Sequence, residues 1–92
     1  MTDFEKKQYI DLLIKNLVPL RKMAGLTQEE LGCRLGISRQ RLIGYEKGSR
    51  GLAWNSFLAF FLVFSCMDET KPLLRAMGID TRELRSYLKT GR

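Results

Sequence analysis

Apolar residues recur at intervals of three and four from the start of the chain: Ile10, Leu13, Ile14 and Leu17. That spacing lines one face of an α-helix. Residues 3 to 17 therefore predict a helix, with Thr2 or Asp3 able to cap it. Pro19 lacks an N–H and disfavours helix at the residue before it, which predicts a kink or break near Val18. A second short helical piece then runs from Pro19 to Ala24, and Gly25 ends it. Thr27 followed by Glu30 has the capping-box spacing, and Leu31 and Leu35 face the core one turn apart. Gly36 ends this helix, Ser38 caps the next over residues 39–47, and Gly48 stops it. Only Gly36, Ile37 and Ser38 lie between the two, so they cross steeply.

Downstream the pattern changes. Residues 53–67 are apolar almost all round, with Trp54, Phe57, Leu58, Phe60, Phe61, Leu62 and Phe64. A helix with no polar face must be covered on several sides. Residues 72–77 predict a short helix closed by Gly78. Asp80 with Glu83 resembles a further capping box, opening a last helix over 81–89 with Leu84, Tyr87 and Leu88 on one face. No stretch alternates with period two, so the fold class is all-α.

The helix over 39–47 is the most informative. At 100° per residue, Arg39, Gln40, Ile43, Gly44 and Lys47 fall within an arc of about 140°. Leu42, Tyr45 and Glu46 fall opposite and Arg41 lies on the flank. One face anchors the helix and the other offers hydrogen-bonding groups. Arginine can grip guanine O6 and N7 with two bonds, and glutamine can do the same to adenine N6 and N7. Ile43 can meet a thymine methyl, and Gly44 lets backbone approach closely. Gln28, Arg41, Lys47 and Arg50 are placed to hold phosphates, and the helix start at Ser38 adds favourable N–H groups.

Charge agrees with this. Sixteen basic residues against ten acidic ones give a net charge of +6, which favours an anionic partner. From Arg34 to Arg50 there are five basic residues and one acid, Glu46. Histidine is absent and the two cysteines, Cys33 and Cys66, are far apart, so the sequence carries no metal-ligand spacing and predicts no cofactor. Both cysteines read as buried, reduced thiols among apolar neighbours. No phosphate loop or nucleophile elbow marks an enzyme. The start, MTDFEKKQY, lacks the features of an export signal, and the apolar run near Phe57 is too short for a bilayer, so the expected setting is cytoplasmic.

The stretch LRKMAGLTQEELGCRLGISRQRLIGYEKG resembles the helix-turn-helix of phage repressor and Cro-type regulators, the XRE class. The resemblance covers residues 20–48 and rests on an arginine four before Gly25, then GLTQEEL, LGIS and YEKG without insertion. It implies a compact bundle of about five helices, the third lying in the major groove of DNA. It assigns Arg39 and Gln40 to the two leading base-reading positions and Gly44 to a third. Gln28 takes a phosphate-contacting, bracing position, and Lys47 and Arg50 take backbone-contacting ones. Arg21 and Glu46 match a buried ion pair, which accounts for the single acid in the basic run. Gly32 departs from the usual alanine where the motif helices cross, and Ile43 from a usual polar residue.

The expected whole is one domain: an N-terminal helix over 1–18, a helix-turn-helix core over 19–51, and C-terminal helices over 52–89. Trp54, Phe57, Phe61, Phe64, Leu84 and Leu88 are the expected homodimer interface. The expected function is a sequence-specific regulator of transcription, a repressor, binding double-stranded DNA as a homodimer. An antirepressor or toxin is a further candidate protein partner. The alternative is an antitoxin or corepressor whose apolar C-terminal half binds another protein.

Overall fold

The computed structural model describes residues 1–92 and contains six helices. They are α1 (Asp3–Met23), α2 (Gln28–Leu35), α3 (Arg39–Lys47), α4 (Trp54–Ser65), α5 (Lys71–Ala76) and α6 (Arg82–Thr90). Each boundary has a local cause. Thr2 with Glu5, and Thr27 with Glu30, form reciprocal capping boxes at the starts of α1 and α2. Those backbone and side-chain bonds hold the Glu5 and Glu30 carboxyls below the usual carboxylate range. Gly36 closes α2 in the left-handed region at φ 72°, which turns the chain directly into Ser38, whose Oγ accepts from the Arg41 N–H at 3.1 Å.

The expected break at Val18 is absent: α1 is continuous through Pro19. The backbone bond that proline forfeits belongs to Lys15, and both residues are exposed, so the unpaired carbonyl lies on the solvent side. On the other side Leu13, Leu17 and Leu20 have no exposed surface and hold the helix to the core across the proline. The expected division at residues 18–19 thus falls inside one element. At the other end, the expected Asp80 cap is replaced by Thr81, whose Oγ1 accepts from the Leu84 N–H at 3.0 Å. Asp80 is engaged elsewhere, by Arg85 at 2.6 and 2.8 Å.

Leucines from α1, α2 and α3 surround the phenylalanine helix α4, whose Phe57, Phe60, Phe61 and Phe64 are all buried. Tyr45 of α3 meets Phe60 edge-on at 6.0 Å between ring centres. Trp54 stacks on Phe57 at 4.9 Å, and Lys6 of α1 lies over both Trp54 and Tyr87. Phe57, Phe61, Phe64 and Leu84, expected at an interface, are instead in the chain's own core. A chain of fewer than a hundred residues has one small core, and these side chains fill it together with the leucines of α1, α2 and α3. Trp54 is half-buried, and only Leu88 of that set is exposed. Both cysteines are exposed, contrary to expectation, because each falls on the outer side of its helix end. No helix is long and apolar enough to cross a membrane.

Candidate nucleic-acid interface

The site is built on one inward-facing acid. Glu46 Oε2 accepts from Arg21 Nε at 2.7 Å, and its Oε1 from Gln28 Nε2 at 2.9 Å. Arg21 also donates through Nη1 to the Leu26 carbonyl at 3.1 Å. The two side chains of the ion pair are 14% and 6% exposed. One carboxylate therefore ties α1, α2 and the far end of α3 together, with its charge matched and its oxygens occupied. Leu42 and Tyr45 complete the anchored side of α3.

The crossing of α2 and α3 is equally tight. A Cβ at Gly32 would stand 2.9 Å from the Ile37 carbonyl oxygen, closer than side-chain carbons approach backbone. Gly32 is thus the residue that lets the turn lie flat on α2: even a methyl group there displaces backbone.

With the anchor fixed, Arg39 and Gln40 point into solvent at the start of α3, and neither takes part in an ion pair of the chain. Lys47 and Arg50 are exposed beyond them, and Ile43 and Gly44 are half-buried on the same arc. An open cleft joins Arg39 to Arg21, Thr27, Gln28 and Glu29, so the exposed start of α3 is continuous with the start of α2. Two helix starts and a free guanidinium converge there, an arrangement suited to an anionic backbone beside base edges.

Three assignments change in detail. Arg41 is drawn back along its own helix, its Nε donating to the Tyr45 hydroxyl at 2.9 Å, while the residue stays exposed and its terminal nitrogens stay free. Gln28 commits one N–H to Glu46 and keeps one for a ligand. Gly44 is not open: Arg50 lies across it. The Arg41–Tyr45 pair was legible, since residues four apart on a helix are neighbours. The place of Thr27 and Glu29 in the cleft was not, because it depends on the crossing angle.

Residues 20–52 match the family model described as helix-turn-helix. This segment is a helix-turn-helix of the phage repressor and Cro class. The match starts one residue before Arg21 and ends at the buried Leu52, so it contains the Arg21–Gln28–Glu46 network, the crossing at Gly32 and all of α3. The helix-turn-helix makes this protein a DNA-binding regulator of transcription. No curated protein and no solved structure matches the chain.

Proposed function

We propose that the protein is a sequence-specific repressor that reads the major groove with α3, as a homodimer, without a cofactor. The observation that carries this reading is the contrast along one helix. Leu42, Tyr45 and Glu46 are held by neighbours, while Arg39 and Gln40, at its capped start, are exposed, and none of the chain's ion pairs uses the Arg39 guanidinium. Arg39 suits guanine and Gln40 suits adenine. Lys47, Ser38 and the starts of α2 and α3 hold phosphates and fix the register.

Dimerisation follows from the task rather than from a seen contact: two half-sites about 34 Å apart double the contact set of a small reader. Leu62 and Leu88 are the exposed apolar residues of the C-terminal half on which such a contact can rest. The alternative, an interaction protein using its apolar half, loses most of its support because the α4 phenylalanines are spent on the protein's own core.

Random-site selection on the purified protein, followed by binding at stated salt, tests the reading. An inverted repeat is expected among the selected duplexes. Arg39→Ala should relax one base position in each half, costing about 1–3 kcal/mol there, whereas Lys47→Ala should weaken all duplexes alike and flatten the salt slope by about one. A single unrepeated half-site would remove the homodimer, and no enrichment would remove sequence reading altogether.

A further inference from the structure

Gly44 lies one helical turn beyond Gln40 on the outward arc, where a base-reading side chain is expected and none exists. The space is not vacant. A Cβ at residue 44 would stand 3.2 Å from Cβ and 3.6 Å from Cδ of Arg50. The arginine stem therefore runs past the point where a side chain at 44 would begin. Its place is fixed by backbone bonds. The Gly44 carbonyl accepts from the Ser49 N–H at 3.0 Å, the Arg50 N–H at 3.2 Å and the Ser49 hydroxyl at 3.3 Å. The left-handed Gly48 makes that return possible. Arg50 is exposed, and none of the chain's ion pairs uses its guanidinium.

We propose that Arg50 is a base-reading residue that takes the place of the missing side chain at Gly44 and recognises a guanine through its O6 and N7. The inference rests on α3 entering the major groove, as proposed above. Its chemistry is that of the guanidinium: a rigid fork matches the two acceptors of guanine, and a lysine does not reproduce it. Glycine at 44 then gives the arginine its room, since a Cβ there would stand 3.2 Å from the Arg50 Cβ and the stem would have to shift by a few tenths of an ångström.

The test uses the duplex selected by the parent protein and every single-base variant of it. Affinities are measured by fluorescence anisotropy for the parent, Arg50→Ala, Arg50→Lys, Gly44→Ala and the Gly44→Ala/Arg50→Ala double variant. Thermal melts confirm that each is folded. Arg50→Ala should lose the preference at one base pair distinct from that lost with Arg39→Ala, by roughly 10- to 100-fold. Arg50→Lys should not restore it. Gly44→Ala should weaken the same preference, and the double variant should be no worse than Arg50→Ala. Uniform weakening of all duplexes by Arg50→Ala, with a flatter salt slope, would make Arg50 a phosphate contact and overturn the proposal while leaving α3 as the reader. A parent protein that enriches no sequence overturns both.

Discussion

Helices α3 and α6 are near twins by inspection. Each has nine residues, starts with arginine, is capped by a hydroxyl side chain and ends on a left-handed glycine. Each carries one tyrosine and further basic residues. In α3 the exposed basic groups stand beside an exposed amide, Gln40, with no acid among them, whereas in α6 the exposed Arg82 and Lys89 share the surface with an exposed acid, Glu83. In α6, Glu83 lies in the first turn and Arg85 folds back onto Asp80 and over the Phe61 ring at 5.7 Å. In α3 the one acid points inward, is held by Arg21 and Gln28, and no acid occupies the first turn. A basic helix becomes an anion-binding edge when its acids are turned away from its exposed basic groups. Counting charges would not have separated the two.

The comparison breaks first at the anchoring acids. Glu46→Ala leaves Arg21, 14% exposed, with only the Leu26 carbonyl and no counter-charge, and frees Gln28; it should cost about 3 kcal/mol, as loss of one partner of a buried pair does. Arg85→Ala removes an arginine that is 52% exposed but leaves the Asp80 carboxylate, 3% exposed, without it; solvent around the arginine screens the pair, so the loss should be smaller than at Glu46, though above the roughly 1 kcal/mol of a fully exposed pair. Urea denaturation of the two variants measures both. Equal losses would mean that the ion pair of α3 anchors it no better than that of α6.

The next largest effect is expected at the helix crossing. Gly32→Ala gains helix propensity worth about 1 kcal/mol. Against this, the new methyl meets the Ile37 carbonyl at 2.9 Å, and overpacking against backbone costs about 1–3 kcal/mol. The clash should win, because a backbone carbonyl in a three-residue turn has little freedom to move. A small net loss of stability is expected in thermal unfolding, with weaker DNA binding because α3 is tilted away from its seat. A stabilised variant with parental binding would show that the turn yields easily.

How much of this could be read from the residues divides along the same line. The helix-turn-helix was legible because its signals are local: cap, glycine stop and the alternation of anchored and outward positions lie within thirty residues. The C-terminal half was harder. Its aromatic helix was read as partly an association surface, since the sequence does not reveal how many leucines α1 brings against it. The continuous helix through Pro19 was missed for the same reason: tertiary burial of Leu13, Leu17 and Leu20 outweighs a local breaker whose lost bond faces water. The seat of Arg50 on Gly44 depends on how the loop folds back, which no spacing rule encodes.

The smallest expected effect concerns acid and falls on α6 alone. Hydrogen bonds from Arg85 hold the Asp80 carboxyl below its ordinary range, with the nearby positive charges of Arg85, Arg75 and Lys71 adding to this. An aspartate with a depressed folded value stays ionised in the folded chain while the unfolded chain takes up a proton. Its contribution is therefore complete above the ordinary aspartate range and is lost as pH falls through the lower, folded value. Asp80→Asn removes that titration and keeps the shape. The stability difference between parent and variant should be present at neutral pH, no larger than about 1 kcal/mol given the half-exposed arginine, and should shrink as the medium is acidified. Glu5 and Glu30 titrate in the same direction in both proteins and cancel in the difference. Urea midpoints across the acid range would measure it. A difference independent of pH would mean that Asp80 serves α6 by its hydrogen bonds alone, and that its charge does nothing to keep Arg85 from acting as the free Arg39 of α3 does.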